Sequence, residues 1–376
     1  MGICSICQQP LDAPVFESNA AVSITSLCQV LEGHTRVWHC ACCGHTQTAP
    51  LSSLEKFYAE DYHILIDSEE EDQLYAAREG RNIYRTEHQV ATLLEKCDIP
   101  EGAQLLDYGC GKASTLKALC AQREDIVPHV FDVGEQYRRF WDTFVPAENQ
   151  AVNIFPEEWS NHFDGIVSFF ALEHVADPRA FVVKVHHLLR EEGIFYFLVP
   201  NPYANTADLV VCDHVNHFSE SSLRCLLAGV GFEVKLIDSN AHNSAWIILA
   251  EKRETPKYKK TGSSVAGEVE QMAVYWSEFG DCVRSFELST EGEAAVYGSG
   301  FYGTYIHVCV EDSEQVVCFL DQNPHRQGQE LLGKPIIAPD ALPESVRRLY
   351  VGLNPAVARE ALDGLDWGRE LEVFYP

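Results

Sequence analysis

The chain has 376 residues, 46% of them apolar, enough for two or three domains with hydrophobic cores and too many for long disordered tracts. Its 28 basic and 56 acidic residues give a net charge of −28, a mean field that repels nucleic acids and anionic membranes and sets both aside as partners. No apolar run reaches the length of a membrane span, and MGICSICQQP lacks the basic start and apolar core of a signal peptide. The expectation is a cytoplasmic protein with a solvated acidic surface, and no protein partner is predicted.

Fourteen cysteines without a secretory context read as reduced thiols and a metal site rather than a disulfide framework. Residues 1–50 carry Cys4-x-x-Cys7 and Cys40-x-x-Cys43. Zn²⁺ takes four thiolates in a tetrahedron, and each pair forms a tight turn that supplies two of them. Cys28, Cys42, His39 and His45 lie close in sequence, but four cysteines from two such pairs make the simplest set. Four protein ligands leave no open position, so the predicted module is structural. Residues 51–83 are acidic and aromatic and read as a connecting or lid segment. Tyr58, Tyr62 and His63 are its candidates for contact with a substrate, against an aromatic packing patch.

Residues 84–252 make the next predicted domain, in which strand and helix patterns alternate from Gln104 to about Glu251. Strands are predicted at QLLDYG, VPHVFDV, AVNIF, FDGIVSF, GIFYFLVP, FEVKLIDS and SAWIILAEK. Helices are predicted at ASTLKALCAQ, QYRRFWDTF, PRAFVVKVHHLLRE and SESSLRCLLAGVG. The fold class is α/β, a doubly wound Rossmann-like core with a mainly parallel sheet; the last two strands follow one another directly and make one edge antiparallel. LLDYGCGKAS (residues 105–114) places Asp107, Gly109 and Gly111 in a strand–turn–helix with neither a dinucleotide fingerprint nor a Walker ending. Such a turn suits a nucleoside ligand without phosphates. Asp132 follows twenty-one residues after Gly111, at the end of the next strand, where an acid can accept both ribose hydroxyls.

KRETPKYKKTGSS (residues 252–264) is a basic linker in an acidic chain and marks a boundary. The remainder, 253–376, reads as a smaller Rossmann-like domain. Its VYGSGFYGTY (residues 296–305) contains Gly298-x-Gly300-x-x-Gly303 between a strand and a helix, and Asp321 ends the following strand. Local context thus satisfies the nicotinamide fingerprint and keeps an oxidoreductase reading open. Only about eighty residues remain from Ala294, too few for a second mononucleotide half and a substrate domain.

On LLDYGCGKAS, FDV, FDGIVSFFALEHVADPRAF and LLREEGIFYFLVPN, the chain resembles the class I S-adenosylmethionine (SAM)-dependent methyltransferases over residues 84–251. The resemblance implies SAM at the carboxyl ends of the strands, with Asp107, Gly109 and Gly111 at its methionine end. Asp132 would hold the ribose, with Val133 beside it. Ala113 stands where the family usually has a third glycine. The layout of zinc module, SAM core and C-terminal Rossmann-like unit further resembles the nucleotide-sugar C-methyltransferases, which act on ketosugars through an enolate. There the C-terminal unit frames the sugar nucleotide without nicotinamide. That family commonly carries Tyr-x-Glu-His where this chain has Val211-Cys212-Asp213-His214. The resemblance implies His214 as the base, Asp213 in the glutamate place and an N-terminal tyrosine, here Tyr62, over the sugar. Loss of the tyrosine at Val211 keeps O- or N-methylation of another small metabolite open. His217 shares a face with His214 if the segment is a helical turn, Ser219 reads as a helix cap, and His174 reads as shaping the cofactor pocket.

Overall fold

Five short strands open the chain in the computed structural model, which describes residues 2–50, 72–78, 81–253 and 265–376. They are β1 (Phe16–Glu17), β2 (Val22–Ile24), β3 (Val30–Glu32), β4 (Arg36–His39) and β5 (Thr46–Thr48). β4 pairs antiparallel with β1 and β5, while β2 and β3 form a separate hairpin. Each cysteine pair sits in a knuckle with the same bonding pattern. Gln8 N–H donates to Cys4 O at 3.0 Å and Gly44 N–H to Cys40 O at 2.8 Å. Positive φ at both positions, 60° at Gln8 and 76° at Gly44, turns the chain back and brings the two pairs together.

A hairpin of β6 (Leu74–Arg78) and β7 (Arg81–Tyr84) leads into α1 (Arg85–Lys96). The central unit follows with β8 (Gln104–Tyr108), α2 (Ser114–Gln122), β9 (Val127–Asp132), α3 (Arg138–Trp141), β10 (Gln150–Val152) and β11 (Phe163–Phe169). It continues with α4 (Pro178–Leu188), β12 (Leu189–Pro200), β13 (Asn216–His217), α5 (Glu220–Ala228), β14 (Phe232–Asp238) and β15 (Ala245–Lys252). The sheet order is β10-β9-β8-β11-β12-β15-β14. The first five strands run parallel, and β15 is inserted antiparallel between β12 and β14. Central strands buried on both faces read as continuous apolar runs. On one face, Val90 and Leu93 of α1 and Leu116 and Leu119 of α2 enter the core. On the other, Phe181, Val182 and Val185 of α4 join Leu223 and Leu226 of α5. The outcome is the expected α/β core with a mixed sheet.

Two predicted helices differ from the structure. The one at residues 136–144 shrinks to a 3₁₀ turn and the single turn α3. The one at 178–191 stops at Leu188, because Leu189 already pairs with Phe163 and starts a twelve-residue strand. Arg190 there pairs with Asp164, and Lys252 Nζ donates to Leu189 O at 2.7 Å, so sheet contacts win over the helical pattern. Ser219 caps α5 as expected, in a reciprocal box with Ser222.

The C-terminal residues form α6 (Ala266–Ser289), β16 (Glu293–Tyr297), α7 (Phe301–Cys309), β17 (Val316–Leu320), β18 (Glu330–Leu331), β19 (Lys334–Ile337), β20 (Val346–Val351), α8 (Pro355–Leu362) and β21 (Glu372–Phe374). Their sheet runs β18-β19-β17-β16-β20-β21, parallel except for β18. Val269, Met272 and Trp276 of α6 share one core with Phe16 and Val37 of the N-terminal strands and with Leu209 beyond β12. Trp276 also donates through Nε1 to Thr206 O at 2.7 Å. The three parts of the chain therefore converge on the segment that follows β12.

Candidate active site

A cavity of about 1500 Å³ opens at the carboxyl ends of β8, β9 and β11. The first glycine turn forms one wall, and Asp107, Gly109, Gly111, Asp132 and Val133 all line it. Gly109 has φ +73°, its N–H donates to Phe131 O at 2.8 Å, and a Cβ there would lie 2.8 Å from that of Ala171. Only glycine lets the backbone stand at this surface. Ala113 takes the left-handed conformation too, with φ 57°. That explains why a third glycine suits this position, since alanine pays a steric penalty of about 1–2 kcal/mol there.

Asp107 is 2% exposed, and its Oδ1 has no hydrogen-bond partner. Burial, with Asp132 nearby, pushes its carboxyl up to about 8. A buried acid with an unmet oxygen at the cavity wall fits a cationic amine, such as the ammonium of SAM's methionine end. Asp132 accepts from Gly111 N at 2.8 Å and Gly134 N at 2.9 Å, one on each oxygen, which fixes the carboxylate while leaving further lone pairs for hydroxyls. Val133 and Ile154 are 73% and 80% exposed apolar side chains beside it, a surface suited to a flat aromatic ring. The residues present thus fit SAM. Gly109→Ala is expected to weaken binding of S-adenosylhomocysteine (SAH) at least about tenfold through left-handed strain and the Ala171 contact. Calorimetric titration checks this, and unchanged affinity would contradict it.

Another part of the cavity wall is built on the segment between β12 and α5. Asp208, 4% exposed, spans two histidines. Oδ1 accepts from His214 Nδ1 at 2.5 Å and Oδ2 from His217 Nδ1 at 2.9 Å. His217 Nε2 lies 2.7 Å from Thr48 Oγ1. The segment is no helical turn: Asn216 and His217 form β13, paired with Gln47 and Thr46 of β5. The two histidines share a partner through the carboxylate rather than a helix face. Sequence reading missed Asp208, because nothing in its local pattern separates it from an ordinary turn residue.

Asp213 is fully buried and accepts from Ser26 N and Ser26 Oγ, both at 2.7 Å. It is not among the cavity-lining residues, so the geometry gives it the task of anchoring the segment to the N-terminal module. His174 donates through Nδ1 to Asp213 O at 3.0 Å, and its ring meets that of His214 edge-on at 4.8 Å. Burial would lower the His214 pKa, but Asp208, Asp213 and Glu173 outweigh it and raise it to about 9. Burial and the neighbouring His214 charge lower His174 to about 4. Their surroundings thus push the two imidazoles in opposite directions. Tyr62, like Tyr58 and His63, lies outside the described residues.

Cys4, Cys7, Cys40 and Cys43 gather with all their sulfurs within 4.8 Å. Cys4 and Cys43 are 3.6 Å apart and Cys7 and Cys40 are 3.5 Å apart. A tetrahedron with Zn–S bonds of about 2.3 Å needs sulfurs about 3.8 Å apart, so the four can hold one ion. Cys28 and Cys42 are not in the cluster.

At the second glycine turn, Asp321 accepts from Ser299 N at 3.1 Å and from Ser299 Oγ at 2.5 Å. A Cβ on Gly303 would fall 2.0 Å from Gly298 O, so that glycine serves helix–strand contact. Phe301 nonetheless lines the large cavity, and Tyr302 Oη lies 3.1 Å from Thr206 Oγ1.

Residues 77–236 match the family model described as a methyltransferase domain. That stretch of the chain is a methyltransferase domain. No curated protein matches the chain. Among solved structures, it is similar to a chain of the complex between the Haloferax volcanii Trm112 methyltransferase activator and a methyltransferase, with 14% identity over 45% of this chain and 91% of that one and a TM-score of 0.38. An S-adenosylmethionine dependent methyltransferase from Mesorhizobium loti gives 16% identity, coverage of 44% and 98%, and a TM-score of 0.37. The CurJ carbon methyltransferase gives 16% identity, coverage of 44% and 52%, and a TM-score of 0.35. No helix among the described residues is long and apolar enough to cross a membrane.

Proposed function

We propose that the enzyme methylates a carbon of a nucleotide-linked ketosugar through an enolate. The observation that carries this reading is the pair of imidazoles, His174 and His214, that meet edge-on at 4.8 Å on the cavity wall with the Asp208 carboxylate behind one of them. SAM, when bound, supplies an electrophilic methyl group. Asp107, Gly109, Gly111, Asp132 and Val133 hold it against the turn. Neutral His174 removes the proton next to the acceptor carbonyl. Charged His214, supported by Asp208, donates a hydrogen bond to the oxygen on which negative charge develops. His214 is thus the acid partner rather than the base that its motif suggested, because Asp208 holds its proton to about pH 9. Environments that push two titrating groups apart mark such a division of roles. Asp213 positions the segment.

The C-terminal part, as a Rossmann-like unit over residues 253–376, frames the nucleotide through Phe301 at the cavity. The cysteine cluster holds a structural Zn²⁺ within a module of residues 1–50. O- or N-methylation of another metabolite is the second reading, favoured by Val211 in the tyrosine place. A nicotinamide reading has less support, since Ser299 already engages the Asp321 carboxylate. The test is incubation with a panel of nucleotide ketosugars in D₂O, with SAH in place of SAM, followed by NMR. Deuterium is expected at the carbon beside the carbonyl, and with SAM a methyl group at that carbon. A product methylated on oxygen overturns the reading.

A further inference from the structure

Glu173, His174 and His214 bring one carboxylate and two imidazole ligand atoms within 4.8 Å of one another, and all three residues line the cavity. Two further features distinguish this cluster from a chance grouping. Glu173 is 1% exposed, and its Oε2 has no hydrogen-bond partner, an acceptor buried beside the histidines. His174 Nε2 lies 3.9 Å from Oε1 of the same carboxylate. Both rings are also oriented from behind. His174 Nδ1 donates to the Asp213 carbonyl at 3.0 Å, and His214 Nδ1 to the Asp208 carboxylate at 2.5 Å. An acceptor-only partner at Nδ1 selects the tautomer whose lone pair is on Nε2. Metal-bound histidines characteristically give their other N–H to a carboxylate or a backbone carbonyl. Here one ring has each kind of partner.

We infer that Glu173, His174 and His214 form a binding site for a divalent transition-metal ion on the wall of the acceptor cavity, separate from the cysteine cluster. Two imidazoles and one carboxylate are a donor set for Fe²⁺, Co²⁺ or Zn²⁺, and leave coordination positions open to the cavity. The ion bonds to the imidazole lone pairs that acid–base chemistry needs. Metal occupancy and the proposed roles of the two histidines are therefore mutually exclusive, so the ion inhibits methyl transfer. Only this inhibition rests on the proposed function; the site itself does not.

The test uses the full chain with one equivalent of Zn²⁺ already bound and titrates it with Co²⁺. A further equivalent is expected, with visible d–d bands but without the sulfur-to-cobalt charge transfer that thiolate ligation gives. Glu173→Gln, close in shape, should weaken this equivalent about ten- to a hundredfold or more, and Asp208→Asn about tenfold or more through the supporting bond. Retained SAH binding shows that each variant is folded. No second equivalent, thiolate bands from it, or unchanged affinity in folded Glu173→Gln would overturn the site. Co²⁺ should also suppress turnover of the wild-type enzyme and a chelator restore it. Bound Co²⁺ with undiminished turnover would overturn the exclusion while leaving the methyl-transfer reading standing.

Discussion

Asp208→Asn is expected to lower kcat by about 10²- to 10⁴-fold, the range for loss of a positioned acid–base partner, while SAH affinity stays near that of the wild type. The asparagine carbonyl can still accept from His214 Nδ1. Its amide can donate to His217 Nδ1 if that ring moves its proton to Nε2, facing Thr48 Oγ1. What is lost is the charge that keeps His214 protonated. The pH dependence carries the same logic. His214, raised to about 9, works as an acid only below that value, and His174, lowered to about 4, works as a base only above it. Wild-type kcat should therefore be flat between these limits and fall on either side. Removing the Asp208 charge lowers the His214 pKa, so the alkaline limb should move to lower pH while the acid limb moves far less. A variant with less than tenfold loss and an unmoved alkaline limb would contradict the assignment.

Cys40→Ser is expected to abolish metal binding at the N-terminal cluster and with it the folded state of that module. Cys40 is 2% exposed, and its sulfur lies 3.5 Å from that of Cys7. Apparent binding energies of structural zinc sites are about 10–16 kcal/mol, more than a module of short strands gains from its own small core. On the proposed mechanism turnover should fall with it, because the module grips the segment that carries Asp213, His214 and His217 directly. Ser26 holds the Asp213 carboxylate, Thr48 meets His217, and β5 pairs with β13. The cavity wall that fits SAH is built on β8, β9 and β11, so its binding should suffer much less. Zinc content, thermal unfolding and turnover measured on one preparation separate these outcomes. A metal-free variant with unchanged melting and turnover would contradict the structural role.

The sequence by itself determined what depends on near neighbours. Two cysteine pairs of fixed spacing make two knuckles, because each turn closes within a few residues. A strand, a glycine turn and a helix place Asp107, Gly109 and Gly111 together, since backbone conformation at glycine is a local property. Strand periods and the Ser219 cap likewise gave the core its element order. Only the tertiary structure decided the rest. The end of α4 at Leu188 depends on sheet partners that arrive from β11 and β15. The conspicuous second glycine turn has its acid engaged by Ser299 and contributes Phe301 to a cavity whose other wall is the first turn. Asp208 gained meaning only when the fold laid His214 and His217 on its two oxygens. The opposed pKa shifts of His174 and His214 have the same origin. A side chain's charge in a folded protein is set by burial and by groups brought close through space, and neither quantity is written in the residues on either side of it.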